Sequence, residues 1–361
     1  MDMTKIRVRD EPLDALRGLA IFGMVLANLQ ASDKDAFWWI AHAAWNGLTV
    51  ADLVFPLFLL AVGLSLPLAM DGRVPRPGIG KIVRRSALLW LIGFAIGFIV
   101  HFSFQLKDIR FTGVLERIGL VYLICALTVR STKTWKIPAI AAAALMIVHG
   151  VLLHLPAPGE MIASMDEGQG MSAWLDRAIL GGTRMYGITF DPEGPLSTLS
   201  AIATTMIGVA AQRLAMRAKK PMVIWVGCAV IAGALAVLAA WFWPVNKALW
   251  TPTFTLVNAA TGLAALAALK AAWARIGTWP PVRLSATLGT AALTLYVVHA
   301  LLTVVLIWHI GDTSIGGIVY GAMTRTGLPL DWMSMLYAVI AGSISIVITL
   351  ALIRRGWVLR V

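Results

Sequence analysis

Ten apolar windows, each about 20 residues long, leave this chain few folds to choose from. They centre on 13–30, 49–70, 83–103, 112–130, 137–155, 195–215, 222–243, 252–271, 285–309 and 332–353. A helix of about 20 apolar residues covers the hydrocarbon thickness of a bilayer. In that medium every backbone N–H and C=O must be paired within the protein, so only helices and closed barrels can span it. The runs are continuous rather than alternating, which excludes a β-barrel. Of the 361 residues, 59% are hydrophobic and 13% charged. A soluble domain does not hide that much apolar surface. The expected fold is an all-α polytopic membrane helix bundle of about ten transmembrane helices, forming a single domain over 1–361.

The net charge of +12 invites a nucleic-acid reading, but its distribution argues against one. Most of the 30 Lys and Arg fall in the two tails and in the alternate connections near 71–85, 130–136, 213–220 and 270–283. That bias marks the cytoplasmic face and puts both termini there. Nucleic acid is therefore not an expected partner. The intervening connections, 31–48, 104–111, 156–194, 244–251 and 310–331, are expected outside. The longest of them, 156–194, carries Asp166, Glu167, Asp176, Asp191 and Glu193 and is either a lid or a passive cover. Cys125 and Cys228 lie inside expected spans and make no disulfide framework or metal spacing. The first apolar run resembles a signal peptide, but it starts with Asp14 and Arg17 and nine spans follow, so it is read as retained.

Ionisable groups inside such spans are costly and tend to be functional. Helical spacing puts Asp14, Arg17, Ile21, Met24 and Asn28 along one face of the first span. Arg17 and Asn28 are about 17 Å apart along that helix. Asp14 and Arg17 also suit a plain interfacial ion pair. In FTGVLERIGLVY, Glu116 and Arg117 stand within an apolar run and must face a polar interior or a partner. The segment 37–56, FWWIAHAAWNGLTVADLVFP, places His42, an Asn-Gly turn at Asn46 and Asp52 at the mouth of the second span. Trp45 stands between His42 and Asn46. Trp38, Trp39, Trp241, Trp243 and Trp250 fit an interfacial aromatic belt, or flat surfaces on which sugar rings stack. His42, His101, His154 and His309 all map near the outer face, but no pair has i, i+4 zinc spacing, and no metal is expected. His299, in mid-helix, reads as a hydrogen-bonded core residue.

Several of these segments together resemble the heparan-α-glucosaminide N-acetyltransferase family, including its small bacterial members. They are LDALRG, HAAWNGLTVADLVFP, GVLERIGLVYL, FDPEGPLSTLSAI and PVNKALW, in that order from about 13 to 310. The resemblance implies a membrane bundle of ten or eleven helices, usually a homodimer. It also implies transfer of an acetyl group from cytoplasmic acetyl-CoA to the amine of a glucosamine-type sugar on the far side. The family's active-site histidine falls on His42 and its first-helix asparagine on Asn28. Where the family often has an asparagine after the glycine of GTAALTLYVVH, this chain has Thr290 and Ala291. A 1–12 tail leading straight into the first span fits a bacterial inner-membrane member.

On that reading His42 is the general base, its pKa lying near working pH. Asn28 contacts the thioester oxygen as charge develops. Arg17, Lys81, Arg84, Arg85, Arg117 and Arg213 are candidates for acetyl-CoA binding, since guanidinium forks suit phosphate. Trp45, Asn46, Asp52, Asp191, Glu193, Asn246, Lys247 and Trp250 are candidates for the sugar side. The 17 Å from Arg17 to Asn28 is comparable with the reach of a pantetheine arm. The sequence leaves open direct transfer or an acetyl-His42 intermediate, and which amino sugar is the acceptor. It also leaves open an amino-sugar transporter, or an O-acyltransferase acting on a surface glycan.

Overall fold

A computed structural model describes residues 9–32, 34–72, 76–101, 110–182, 184–187 and 189–359. The side chain of His101 and most of the connection 104–111 lie outside the described residues. Each apolar window of the sequence holds helix among its described residues. The helices are α1 (Glu11–Asn28), α2 (Val50–Met70), α3 (Ile79–His101), α4 (Val114–Ser131), α5 (Lys136–Leu153), α6 (Gly170–Leu180) and α7 (Pro195–Arg217). They continue with α8 (Pro221–Ala239), α9 (Pro252–Ile276), α10 (Pro280–Thr290), α11 (Ala292–Ile307), α12 (Ile315–Thr324) and α13 (Leu330–Arg354). A two-residue hairpin, β1 (His309–Ile310) with β2 (Thr313–Ser314), sits before α12.

Among the described residues, seven helices are long and apolar enough to cross a membrane: α2, α3, α5, α7, α8, α9 and α13. An eighth span results if α10 and α11 are taken together. The expected ten is thus not reached by length and composition. Two of the shortfall are α1 and α4, which match the 18-residue α5 in length but each carry three charged residues. Their charges, Glu11, Asp14 and Arg17 in one and Glu116, Arg117 and Arg130 in the other, lower their apolar character. The window 285–309 is two helices, bent by 88° at Ala291, between Thr290 and Ala292. Hydrophobicity runs unbroken through this bend, so the sequence pattern reads as one span.

The core of the bundle is α1, α2, α4, α7 and α9, wrapped by the more lipid-accessible faces of the other helices. α7 is buried along most of its length by α2 and α5. Glycines set the closest seams. A Cβ on Gly63 of α2 would lie 2.0 Å from the Thr205 carbonyl oxygen of α7. A Cβ on Gly18 of α1 would lie 1.8 Å from Ser285 O of α10, and one on Gly289 1.9 Å from Asp14 O. Small residues let helix backbones approach where burial in lipid gives no hydrophobic drive. The α1–α10 seam matters for function, because it fixes Asp14, Arg17 and the α10–α11 bend in one place.

Candidate active site

The loop before α2 is folded by its own polar groups. Thr49 is the N-cap of α2 and Asp52 its third residue, and together they form a capping box. Asp52 Oδ2 accepts from Thr49 N (3.1 Å), Thr49 Oγ1 (3.0 Å) and Ala43 N (3.2 Å). Oδ1, the other oxygen, meets His42 Nδ1 at 2.8 Å. The carboxylate is buried while the imidazole is substantially exposed, with side-chain exposures of 1% and 39%. Asp52 therefore orients a histidine that still faces the mouth of the bundle. When Nδ1–H donates to Asp52, Nε2 is left with its lone pair outward.

A second loop, PVNKALW, docks on the first. Asn46 and Asn246 form an antiparallel bridge, Gly47 N donates to Val245 O at 2.8 Å, and Asn246 Nδ2 donates to Asn46 Oδ1 at 3.0 Å. Asn246 also accepts from Leu249 N through its side-chain oxygen at 2.8 Å. Fully buried, Asn246 is a clasp between loops. The same docking brings Lys247 Nζ to 2.9 Å from His42 Nδ1, 3.2 Å from Nε2 and 3.4 Å from Asp52 Oδ1. Trp45 is half-buried, donates to Met165 O at 2.8 Å and packs edge-on against Phe190, which ties the outer loop to the site. Trp250 is in the core, 1% exposed, between Phe55 and Phe254, with Arg117 over its ring and Nε1 on Thr204 Oγ1. It offers no face to a sugar.

Asp191 and Glu193 are brought near each other and are already engaged. Asp191 accepts from Arg110, Thr112 Oγ1 (2.8 Å), Tyr186 N (3.0 Å) and Glu193 N (2.9 Å). Arg110 also bonds Glu193. Burial favours the neutral acid at Asp191, but its hydrogen bonds from Arg110 outweigh that and hold its pKa below the ordinary carboxylate value. The Arg110 guanidinium, despite burial, is raised above its usual value by the same two acids. Sequence reading passed over Arg110. The acids of FDPEG, needing a cation in an apolar setting, were the available signal. Arg117 is buried, donating to Pro192 O (2.8 Å) and Ser197 Oγ (2.5 Å), which makes it a brace for the start of α7.

Below this level lies a cavity of about 240 Å³. Arg17 and Arg85 stand among its lining residues, with Ile21, Met24, Phe58 and Tyr296. Three residues of the first-span face, Arg17, Ile21 and Met24, thus share one wall. Arg17 is paired with Asp14, which also takes Arg9, and its Nε is buried with no partner among the described residues. Arg85 lies over the Tyr122 ring at 4.7 Å. Lys81 and Arg84 are exposed and do not line the cavity. Arg213 is buried and occupied by Asp71 and by the carbonyls of Val129, Thr132 and Thr134. It clamps the connection after α4 to α7 and has little left for a ligand. Asn28 ends α1 with an exposed side chain, four residues or about 6 Å beyond Met24. Thr290, one of the departures from the family pattern, also lines the cavity, while Ala291 is buried at the bend. His299 is buried as expected, but its Nδ1 has no hydrogen-bond partner among the described residues and its ring packs edge-on against Tyr296.

Residues 9–163 match the model of the catalytic region of heparan-alpha-glucosaminide N-acetyltransferase. The human and mouse proteins of that name are each 28% identical to this chain over 306 residues, an alignment covering 67% of it. Over residues 9–163 the chain is thus similar to the catalytic region of that family. The chain spans less than half the length of these curated relatives, 45% and 46%. The region matched by the heparan-alpha-glucosaminide N-acetyltransferase model holds His42, Asp52, Asn28, Arg17 and Arg85. Lys247, Asn246 and Arg213 lie beyond it.

Proposed function

We propose that this chain is a membrane acetyltransferase that moves an acetyl group from acetyl-CoA on the cytoplasmic side to the amine of a glucosamine-type sugar on the other. The observation that carries the reading is a single column of sites. The His42–Asp52 pair stands at the head of α2, and the cavity with Arg17 and Arg85 lies further along the same helix bundle. Phe58, on the cavity wall, is six residues or about 9 Å along α2 from Asp52. The family match and the names of the human and mouse relatives support the chemistry.

The cavity suits the donor. Its walls are mostly apolar, which fits a pantetheine arm, and two guanidinium groups stand where phosphates need cations. Arg17 and Arg85 hold the phosphate end. Ile21, Met24, Phe58 and Leu115 enclose the arm and keep water from it. When bound, acetyl-CoA supplies an acetyl thioester, already activated for attack. Asn28 donates its amide N–H to the thioester oxygen. His42 accepts the proton of the incoming amine at Nε2, with Nδ1–H kept on Asp52. Asn46 and the half-buried Trp45 border the sugar, and the outer segment around α6 covers it. In this reading both termini and the basic connections face the cytoplasm.

The test is acetyl transfer to glucosamine by purified protein carrying His42→Ala. Turnover should fall at least about a hundredfold with CoA affinity kept. Wild-type turnover in the folded variant removes His42 from this role. Hydroxyl-only acceptors, such as glucose, should not be acetylated.

A further inference from the structure

Lys247 is the unusual member of the His42 site. A lysine kept only as a counter-ion for Asp52 would sit on the carboxylate at about 2.8 Å. Here Nζ is 3.4 Å from Asp52 Oδ1 but 2.9 and 3.2 Å from the two ring nitrogens of His42. Asp52 Oδ2 is meanwhile taken by Thr49 and Ala43. Nearly equidistant from the two ring nitrogens, the primary amine lies over the imidazole face, within hydrogen-bond distance of Nε2. The position is not accidental slack. Asn246, the preceding residue, is fully buried and clasped to Asn46, and Thr251 holds Asn246 N at 3.3 Å. The Lys247 side chain keeps 25% of its surface open.

We propose that Lys247 is itself an acetyl acceptor, modified by the chain's own activity when no amino sugar fills the mouth. The proposal rests on the acetyltransferase reading above. One proton of the Lys247 ammonium passes to His42 and on to solvent. Nζ then bonds to the carbonyl carbon of the acetyl thioester and the C–S bond breaks. Sulfur leaves with the electron pair and takes the second amine proton, giving free CoA and Nζ-acetyl-lysine. The product lacks the positive charge that now lies beside Asp52 and His42. Self-acetylation thus alters the site in which the sugar ammonium must compete, and glucosamine protects against it by occupying the same place.

The experiment uses full-length protein in detergent with trideuteroacetyl-CoA, with and without glucosamine, read by peptide mass spectrometry. Lys219 and Lys220, which lie in a cytoplasmic basic connection on the topology above, report purely chemical acetylation. The expected result is label on Lys247 far above those two lysines, suppressed by saturating glucosamine. His42→Ala should lower the Lys247 label roughly a hundredfold, the lower end of what a positioned base contributes. The glucosamine arm needs no variant and stands if that protein does not fold. Acetylated glucosamine with Lys247 unlabelled overturns the proposal and leaves the enzyme reading intact. So does label on Lys247 that glucosamine does not suppress. Neither sugar nor Lys247 labelled overturns both.

Discussion

Asp52 shows how one side chain joins fold to chemistry. Its Oδ2 is held by the N-cap residue and by Ala43, so Oδ1 can point only at His42 and Lys247. In Asp52→Asn the amide nitrogen must face either those three donors or His42. Either choice opposes a donor to a donor and loosens the imidazole tautomer. The expected outcome is a kcat lower by roughly a hundredfold or more with the CoA Kd unchanged, measured by turnover and by ligand binding on the same preparation. Trp250 makes the opposite case. As a residue type it reads as a sugar platform, yet it packs between Phe55 and Phe254. Trp250→Ala should cost about 3–5 kcal/mol of stability, seen as a lower thermal midpoint, and should not act through the sugar KM alone. His42 and Asp52 could be read from sequence because each is polar where an apolar residue would do. The direction of Trp250, or the burial of Asn246, depends on a loop docking 200 positions away, which neighbouring residues do not encode.

At the scale of elements, α6 and the strand of chain after it form a cover built on acids. Asp176, on α6, accepts from Asp191 N at 3.0 Å through Oδ2, while Oδ1 is buried with no partner among the described residues. Burial pushes its carboxyl up to about 7. The folded cover therefore binds a proton that the unfolded chain releases near the ordinary carboxylate value. Its contribution to stability is fully present below that value and is lost as pH rises to about 7. Asp191 works in the opposite sense. Its pKa is lowered, so its contribution is present above the ordinary value and lost on acidification below it. The expected outcome is faster hydrogen exchange in 170–194 as pH is raised from about 5 to about 8, after correction for intrinsic rates. Asp176→Asn should remove most of that dependence. A profile for the variant parallel to the wild type would reject the protonated Asp176. Asp191 and Glu193 were visible in the sequence as candidates for sugar binding, and Asp176 only as one of the acids of the outer connection. What was not visible is that Arg110 and Thr112 occupy Asp191, because that needs the approach of two outer connections.

Across the whole molecule, the site depends on helices meeting end to end. The sequence showed ten apolar windows, and each holds helix among its described residues, although seven or eight helices are long and apolar enough to span a membrane. It did not show the 88° break between α10 and α11, since the apolar pattern continues across it. That break, held by Gly18 and Gly289 against α1, puts Gly289 and Thr290 beside Arg17 on the cavity wall. The basic residues at this face then separate by geometry rather than by charge. Arg85 borders the cavity and Arg84, its neighbour in sequence, does not. Both serve equally in the positive-inside bias. If the cavity holds the phosphates of acetyl-CoA, Arg85→Ala should weaken CoA binding by roughly tenfold or more, the loss of one charge-assisted contact. Arg84→Ala should change it by less than about twofold. Binding is measured by calorimetry at two salt concentrations, so that a screened long-range effect is separated from a contact. Equal losses in the two variants would mean that the face acts as a diffuse field and that the cavity is not the donor site.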